Sequence, residues 1–518
     1  MSEKNQGRMD QSVGAGFSRR RVLAAGVAAG LGTAAGAVPA AAASSGASGP
    51  AVPARSGQDE RFPGPWQRGL LQPTENGRFL QHEDGTPFFW TADTAWLLHK
   101  LSREEVRQYF ENRQEKQFNV VLLQVVPASL EYQDYYGNTP FLRDNVRRPN
   151  PAYWDHITHM VEEAARAGIY MAMNAVWRNI VKDGLMDARD AGWYGRWLAR
   201  RYKDYPNIVW LIGGDSVGSQ QMDVWLSLAE AIRREDPHHL MTFHPNGRFS
   251  SSTWFHNESW LDFNMFQSGH RNYEQTYEGV SPTYDSIDVP TYWKAEDTWM
   301  YVHEDYSRYP AKPTLDGEPS YEHVHQGLHD FSTPFWDDAD TRRYAYWSVF
   351  GGSCGHTYGN GGVMPMHVPS DGPVNGYDVS EYWYETMDDP GAGQMQHVKN
   401  LMLSRPYFHR IPGPTLVDGD PGFRHDRVVA TYAEEYAFAY IHTGRSFSLK
   451  LGEISGDRVV AWWYDPRNGT AARIGEFDNT GVRTFDPPDE PGDSNDWVLV
   501  LDDASQSFGE PGEPMYDS

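Results

Sequence analysis

From about residue 66 to residue 410, short apolar runs alternate with longer segments whose apolar positions follow a helical period. The apolar runs are nearly continuous, which is typical of strands buried on both faces of a parallel sheet. The pattern predicts eight such strands, at Phe88–Ala92, Asn119–Val126, Ile169–Val176, Ile208–Ile212, Leu240–His244, Phe263–Gln267, Pro313–Leu315 and Gly351–His356.

The segments between these strands predict helices. The first begins with the string Ser102-Arg-Glu-Glu105, in which the serine and the glutamate are spaced to form a capping box. The clearest predicted helices are Ser102–Gln117, Trp154–Ala167, Trp193–Lys203 and Met222–Glu235.

Eight strand–helix units between residues 66 and 410 predict a (β/α)8 barrel, the TIM-barrel fold, enlarged by loops. The alternative is an open, doubly wound sheet, which would carry a glycine-rich phosphate-binding turn after its first strand. The string Phe88–Trp96 contains no glycine, so the barrel is favoured.

A different pattern begins at Ile411-Pro-Gly-Pro414, which we interpret as a domain boundary. Beyond it, alternating strands separated by Gly, Asp and Pro turns predict a small antiparallel β-domain, sandwich-like, over residues 411–505. The predicted strands are Arg427–Tyr432, Tyr436–His442, Ser446–Leu451, Arg458–Trp463 and Trp497–Leu501. The tail, residues 506–518, is expected to be frayed from Glu510 onward.

The N-terminal segment is predicted to be an export signal and not part of the folded domains. Ser18-Arg19-Arg20-Arg21-Val22-Leu23 is typical of a twin-arginine signal, and small residues suited to cleavage follow at 40–43. We therefore expect a signal peptide over residues 1–43, a flexible leader over 44–65 and a secreted or cell-surface protein. The apolar stretch is short and glycine-rich, which argues against a permanent membrane anchor. With Cys354 as the single cysteine, no internal disulfide is expected.

Charge and composition narrow the function. A net charge of −25 argues against nucleic acid or an anionic membrane as partner. The aromatic content of 14% suits stacking on sugar rings, although large core side chains account for most of it. No histidine spacing indicates a metal site, no cofactor is expected, and no Gly-x-Ser-x-Gly elbow is present in a strand–turn–helix setting.

In two sequence motifs an acidic residue follows an apolar run and a glycine: Asp215 in Val209-Trp-Leu-Ile-Gly-Gly-Asp215, and Glu318 in Pro313-Thr-Leu-Asp-Gly-Glu-Pro319. They end the fourth and seventh predicted strands, and barrel active sites lie at the C-terminal ends of strands. A pair of carboxyl groups about 5–5.5 Å apart serves retaining glycoside hydrolysis. We therefore predict Asp215 and Glu318 as catalytic residues. The structural alternatives are a helix N-cap for Asp215 and an ion pair with Arg178 for Glu318.

Polar or aromatic side chains follow every predicted strand, which barrel packing does not require. Asn174, Asn246, His270 and Asn360 are among them. As substrate-binding residues we predict a set that shares this position: Asp93, Trp90, Gln124, Trp177, His244, Gln267, His356 and Tyr358. In this set Asp93 is expected to bind sugar hydroxyls, the tryptophans to stack on the sugar or to belong to the core, and Tyr358 to donate to Glu318.

Four motifs together resemble a known family. Phe89-Trp-Thr-Ala-Asp-Thr-Ala-Trp96, Leu211-Ile-Gly-Gly-Asp-Ser216, Leu315-Asp-Gly-Glu-Pro-Ser-Tyr-Glu322 and Gly355-His-Thr-Tyr-Gly359 are similar to motifs of the apiosidase-like proteins of glycoside hydrolase family 140. The resemblance runs from about Gly69 to Arg410. The end of the chain, with Ala461-Trp-Trp-Tyr-Asp-Pro-Arg-Asn-Gly469, is similar to a β-domain that often follows this barrel and carries a collagen-binding label.

The resemblance implies a (β/α)8 barrel that hydrolyses with retention, with Asp215 as acid/base and Glu318 as nucleophile. The expected function is an exported, exo-acting glycoside hydrolase whose partner is a plant or microbial polysaccharide or oligosaccharide and which releases apiose or a related pentofuranose. One alternative is a non-catalytic carbohydrate- or matrix-binding protein. Another is the same chemistry as an arabinofuranosidase. We expect the β-domain to pack against the barrel.

Overall fold

The computed structural model describes residues 62–275, 294 and 296–516. The predicted signal peptide and nearly all of the predicted leader lie outside the described residues. Three short antiparallel strands come first: β1 (Leu71–Pro73), β2 (Leu80–His82) and β3 (Pro87–Phe88). The main sheet follows.

Eight parallel strands form a barrel, as predicted. They are β4 (Trp90–Thr94), β5 (Val120–Gln124), β6 (Tyr170–Asn174), β7 (Ile208–Ser216), β8 (Met241–Pro245), β9 (Asn264–Phe266), β10 (Thr314–Asp316) and β11 (Gly355–Tyr358). The strand order is β8-β7-β6-β5-β4-β11-β10-β9. Between β8 and β9 the ring is closed by two hydrogen bonds, from Asp262 N–H to Met241 O (2.9 Å) and from Thr242 Oγ1 to Phe263 O (2.6 Å).

Helices follow the barrel strands. The first, α1, has the predicted capping box, because Glu105 N–H donates to Ser102 Oγ (3.3 Å) and Ser102 N–H donates to Glu105 Oε2 (2.8 Å). The helices are α1 (Arg103–Glu115), α2 (Pro151–Arg166), α3 (Arg178–Lys182), α4 (Ala188–Tyr202), α5 (Met222–Glu235), α6 (Ser252–Phe255), α7 (Thr298–Tyr306), α8 (Asp338–Phe350), α9 (Trp383–Thr386) and α10 (Pro390–Leu403). Within the described ranges, no helix has the length and apolarity needed to span a membrane.

Among the strand boundaries that differ from the prediction, the starts of β4 and β11 have consequences for the site. Strand β4 begins two residues late because Phe88 belongs to β3, where it pairs with Leu80. Strand β11 begins four residues late because Gly351 ends helix α8 and Gly352, with φ of 121°, turns the chain. The residues expected just beyond these two strands therefore lie inside them.

Side chains of the barrel strands alternate between two apolar clusters. One cluster fills the barrel. The rings of Trp90 in β4 and of Phe263, just before β9, contact each other (centroids 5.7 Å apart), although β4 and β9 are not neighbours in the sheet. The other cluster lies between the strands and the helices, and it includes Val121, Trp210 and Phe243. This parity decides which polar side chains reach the barrel mouth.

The C-terminal region is an all-β domain of two antiparallel sheets, as predicted. Its strands are β12 (Ile411–Pro412), β13 (Val417–Asp418), β14 (Val429–Tyr432), β15 (Tyr436–Ile441), β16 (Phe447–Leu451), β17 (Arg458–Tyr464), β18 (Ala471–Asp478), β19 (Gly481–Phe485) and β20 (Trp497–Asp503). The sheet orders are β12-β14-β15-β20-β17-β18 and β13-β16-β19. Strands β18 and β19 were not predicted, because most of their side chains are exposed and the apolar alternation is lost.

The β-domain packs against the barrel, which confirms the role predicted for it. Tyr346 of α8 stacks on Tyr440 of β15, with ring centroids 4.9 Å apart. Arg342, also on α8, forms two hydrogen bonds of 2.9 Å with the buried carboxylate of Asp496. A buried, bidentate ion pair of this kind fixes the orientation of the two domains.

The predicted frayed end is wrong for the described part of the tail. Met515 N–H donates to Leu403 O at 2.8 Å, and Arg405 Nη2 donates to Gly509 O at 3.1 Å. The tail therefore runs along the end of helix α10 at least as far as residue 516.

Candidate active site

Asp215 lies on a kinked strand end. Gly213, Gly214 and Asp215 have φ of 91°, 103° and 49°, and the pairing of β7 with β8 shifts register here. A Cβ on Gly214 would lie 2.5 Å from the ring of Trp177. Glycine at this position is therefore required both by the backbone conformation and by the close approach of the ring.

Glu318 lies on a turn that a buried carboxylate holds in place. Ser268 Oγ donates to Asp316 Oδ2 at 2.6 Å, and Glu318 N–H donates to Asp316 Oδ1 at 3.2 Å. A Cβ on Gly317 would collide with the side chain of Met265. The glycine thus lets the turn lie directly against β9.

The two carboxylates meet in the barrel mouth. One oxygen of Asp215, one oxygen of Glu318 and a ring nitrogen of His244 all lie within 4.8 Å of one another. The strands that carry the acids, β7 and β10, are separated in the barrel by β8 and β9. Each of these intervening strands contributes a histidine, His244 in β8 and His270 just after β9.

Both histidines face Glu318. His270 Nε2 lies 3.0 Å from Oε1, and His244 Nε2 lies 3.3 Å from Oε2. His244 Nδ1 accepts from Asp215 N–H at 3.5 Å, which leaves the imidazole proton on Nε2, toward Glu318. Burial raises the pKa of Glu318, but the contacts with His244 and His270 outweigh it and hold the pKa at about 2. Glu318 is therefore ionised.

Asp215 is shifted in the opposite direction. Burial and the negative charge of Glu318 raise its pKa to about 6, against the opposing effects of Arg178, His244 and Gln267. Its Oδ1 is buried and has no hydrogen-bond partner among the described residues. A carboxylic acid beside a carboxylate is the arrangement needed for one group to donate a proton while the other attacks.

The N-cap alternative for Asp215 is excluded, and Glu318 is ion-paired with His244 and His270 rather than with Arg178. Helix α5 begins at Met222 after the N-cap residue Gln221, so Asp215 caps no helix. Arg178 Nη1 donates to the backbone oxygen of Asp215 (3.0 Å) and to Asn246 Oδ1 (3.3 Å), so the predicted ion pair of Arg178 with Glu318 is wrong.

Four predicted substrate-binding residues lie around this pair. The Trp177 ring, 9% exposed, lies against Gly214 and His244. Gln267 lies against Asp215, and within the part of the chain that the structure describes its Oε1 is buried without a hydrogen-bond partner. Gln124, the last residue of β5, is inward-facing by parity. With His244, these residues come together at one end of the barrel.

Asp93 and Trp90 do not reach the mouth, and their predicted roles are corrected. Asp93 is fully buried on the helix side of β4, where it accepts from Tyr109 Oη (2.5 Å) and pairs with Arg113 (3.3 Å). Trp90 is fully buried in the barrel core, and its Nε1 donates to Thr357 Oγ1 at 3.2 Å. Neither side chain can contact a sugar in the mouth.

His356 and Tyr358 are also directed away from the mouth. His356 Nδ1 lies 3.2 Å from Ser348 Oγ on helix α8, so it belongs to the layer between barrel and helices. Tyr358 Oη donates to Glu322 Oε2 at 2.5 Å, not to Glu318 as predicted. The late start of β11 is the cause, because it places both residues within the strand.

Sequence reasoning missed other residues of the site. His270 and Asn174 were noted as polar strand ends, but neither was assigned a role. Tyr321 was not singled out, although it follows Glu318 by three positions; its Oη lies 2.9 Å from Thr94 Oγ1 and its ring 4.8 Å from that of His270. Tyr377 comes from the loop after β11, and burial and then the charges of Glu318 and Asp215 raise its pKa. Nothing in the sequence indicates that this loop returns to the mouth.

Comparisons with known proteins show the family of each domain. The family model described as "Apiosidase-like, catalytic domain" matches residues 74–409. A second model, "Putative collagen-binding domain of a collagenase", matches residues 411–502. No curated protein matches the chain.

Solved structures are similar over both domains. One, titled "Glycoside hydrolase", is 41% identical, with a TM-score of 0.82 over 86% of this chain and 100% of that chain. A glycoside hydrolase family 5 protein from Bacteroides vulgatus is 39% identical, with a TM-score of 0.81 over 88% of this chain and 97% of its own. A third, a putative glycoside hydrolase from the same organism, is 14% identical, with a TM-score of 0.60 over 85% of this chain and 83% of its own, and shows the fold alone.

The kink at the end of β7 predicts the effect of a single methyl group. In Gly214→Ala the new Cβ displaces Trp177 and strains the left-handed backbone, so Asp215 moves relative to Glu318. We expect kcat/KM on an aryl glycoside to fall by about 10²-fold. The matched control is Gly393→Ala in α10, where a Cβ meets nothing within 4 Å, and its kcat/KM should equal that of the wild type. Unchanged kcat/KM in Gly214→Ala would contradict the geometry.

Proposed function

The chain belongs to the family of apiosidase-like glycoside hydrolases, and from this premise we propose that it is an exo-acting enzyme which releases apiose or a related pentofuranose with retention of configuration. The observation that carries the mechanistic part is the proximity of the Asp215 and Glu318 oxygens, within 4.8 Å. Retaining enzymes need their carboxyl groups about 5–5.5 Å apart, whereas inverting enzymes need about 6.5–9.5 Å to admit a water molecule.

The unequal pKa values assign the two roles. Asp215, with its raised pKa, donates its proton to the glycosidic oxygen as the bond to the anomeric carbon breaks. An oxygen of Glu318 attacks the anomeric carbon from the other face and forms the glycosyl-enzyme ester. Asp215, now ionised, takes a proton from the water that hydrolyses this ester. Glu318 then leaves as a carboxylate, which His244 and His270 receive.

The enclosure of the pair supports exo action on a terminal sugar. Glu318 is only 7% exposed, and Trp177 and Tyr377 lie close to the two acids. An enclosed carboxyl pair suits one terminal furanose, whereas a chain that passes through the site would need an open cleft.

Two amide side chains are the proposed ligands of the sugar hydroxyls. Asn174 is fully buried, and both its Oδ1 and its Nδ2 are without a hydrogen-bond partner among the described residues. The same holds for Gln267 Oε1. Buried amides left unpaired cost about 1–3 kcal/mol each, so hydroxyl groups of a bound sugar would satisfy them. The face of Trp177 is the proposed stacking surface.

The direct test is hydrolysis of aryl furanosides, with the product anomer read by NMR at early times. We expect cleavage of an aryl apiofuranoside in preference to the arabinofuranoside, and a first product of unchanged configuration. Glu318→Gln and Asp215→Asn should each lower kcat by more than about 10²-fold without unfolding the protein. The matched control Glu230→Gln, on the exposed face of α5, should retain full activity.

Other outcomes of this experiment separate the alternatives. An inverted first product would contradict the close carboxyl pair. A preference for the arabinofuranoside would be consistent with the proposed mechanism but would identify arabinose, rather than apiose, as the sugar released. Tight binding of glycans with no hydrolysis of any substrate, and no effect of either acid variant, would identify a binding protein instead.

The pH dependence follows from the same pair. In the free enzyme kcat/KM is proportional to the fraction with Asp215 protonated and Glu318 ionised. It should therefore fall as pH rises through about 6, where Asp215 loses its proton, and fall on the acid side only as pH approaches about 2. Asp215→Asn should lose the alkaline limb on an activated aryl substrate, whereas the exposed control Asp223→Asn should retain it. An unchanged alkaline limb in Asp215→Asn would assign that limb to another group.

Export by the twin-arginine route is part of the proposal. Its support is the Arg19–Arg21 cluster ahead of an alanine-rich stretch, together with the single cysteine, since the barrel can fold before export without disulfide formation. Replacing Arg19, Arg20 and Arg21 by lysine should leave the protein in the cytoplasm of a host with a twin-arginine system. Fractionation and immunoblotting measure this, and Lys4→Arg is the control. Export of the triple-lysine variant at the wild-type level would refute the route.

A further inference from the structure

A cavity of about 740 Å³ lies outside the barrel mouth, at the junction of the barrel and the β-domain. Barrel residues before β10 line one side and loops of the β-domain line the other. The residues of the cavity that carry the argument are Glu296, His425 and Asp493. The proposed glycosidase mechanism uses none of them.

Three potential metal ligands converge at the edge of this cavity. Asp493 Oδ1 lies 3.0 Å from His425 Nδ1 and 3.2 Å from His442 Nε2, and all three atoms lie within 4.8 Å of one another. They come from three loops of the β-domain: before β14, after β15 and before β20. Because the chain separates them widely, no sequence spacing could reveal the cluster.

The two distances from the Asp493 oxygen to the histidine nitrogens are close to those around a tetrahedral ion. Zinc binds imidazole nitrogen and carboxylate oxygen at about 2.0–2.2 Å, so neighbouring ligand atoms of a tetrahedral site lie about 3.3 Å apart. The separations of 3.0 and 3.2 Å require only small adjustments to reach this value. The Asp493 side chain is largely exposed, so a change of its rotamer can make them.

The second nitrogen of each imidazole already has a polar partner. His425 Nε2 faces Glu296 Oε2 at 3.1 Å, and Glu296 in turn pairs with Arg343 at 2.7 Å. His442 Nδ1 lies 3.4 Å from Tyr440 Oη, which donates to Asp496 at 3.2 Å. Metal-binding histidines are usually held in this way, by a carboxylate or another acceptor that fixes the tautomer and orients the ring.

Because their other ring nitrogens have these partners, His425 Nδ1 and His442 Nε2 are the nitrogens that face the Asp493 carboxylate. Tyr440 Oη donates a hydrogen bond to Asp496, so its oxygen can accept from His442 Nδ1–H; in this tautomer the lone pair of His442 lies on Nε2, toward Asp493. Two acceptors at 3.2 Å repel unless a proton or a metal ion lies between them. A zinc ion replaces this proton, and its binding therefore releases protons.

We propose that His425 Nδ1, His442 Nε2 and one carboxylate oxygen of Asp493 form a zinc site whose fourth position opens to the cavity. Two imidazoles and a carboxylate are ligands that zinc accepts, and three protein ligands with one open position leave room for water or an external donor atom. Through Glu296 the site also links the β-domain to the barrel.

The test uses full-length protein without a polyhistidine tag, stripped with a chelator and titrated with zinc by calorimetry at pH 7.5. We expect one ion per chain, a melting temperature that rises with zinc concentration, and a Co²⁺ derivative with a tetrahedral absorption spectrum. Asp493→Asn and His442→Ala should abolish this binding, while Asp493→Asn retains glycosidase activity. His409→Ala, which removes a mostly exposed histidine of the same region, should bind zinc as the wild type does.

The variants also separate this site from the active site, where Asp215, His244 and Glu318 cluster as well. Glu318→Gln should retain one zinc ion per chain. Loss of zinc in Glu318→Gln, with retention in Asp493→Asn, would place the ion in the barrel mouth and overturn the proposal. No saturable binding by the wild type, or binding that survives both cluster variants, would overturn it too. Asp493→Asn keeps the test decisive if His442→Ala does not fold, because Asp493 is exposed.

Discussion

The left-handed backbone at the end of β7 is the constraint on which the candidate site depends. Three successive residues with positive φ turn the chain out of the strand, and this turn directs Asp215 toward Glu318. The parity of β7, in which Val209 and Leu211 face the barrel interior, already places Asp215 on that side, whereas the parity of β4 places Asp93 on the helix side. The close contact of Gly214 with Trp177 then fixes the turn. The proposed stacking surface and the proposed proton donor therefore depend on one glycine.

The proposed mechanism requires two similar carboxyl groups to differ in pKa, and their surroundings differ accordingly. Both are desolvated, which alone would raise both pKa values. Glu318 has a histidine nitrogen within 3.3 Å of each oxygen, whereas Asp215 lies beside the negative charge of Glu318. His244 contacts both acids, because its Nδ1 accepts from the backbone N–H of Asp215 and its Nε2 faces the side chain of Glu318. The strands between the acids thus supply the asymmetry.

The sequence predicted the barrel, the β-domain and the carboxyl pair, because buried strands leave continuous apolar runs and because strand ends are functional in this fold. The prediction failed where the result depends on which face of the sheet a residue points to, or on a strand whose side chains are exposed. Asp93 and His356 are polar residues next to apolar runs, but each lies inside its strand and faces the helices. Strands β18 and β19 carry too few buried residues to leave a pattern. Tyr377 reaches the mouth through a loop, which no periodicity describes.

Helix α8 gives the C-terminal domain a structural relation to the site. On one side, Ser348 contacts His356 in β11, the strand that pairs with β10 just ahead of Glu318. On the other, Tyr346 and Arg342 pack and pair with the β-domain through Tyr440 and Asp496. Buried ion pairs are weak sources of net stability, yet they are strongly destabilising to break and they specify geometry. The β-domain therefore packs as a support behind the strands next to Glu318, the proposed nucleophile, rather than as a module on a flexible tether.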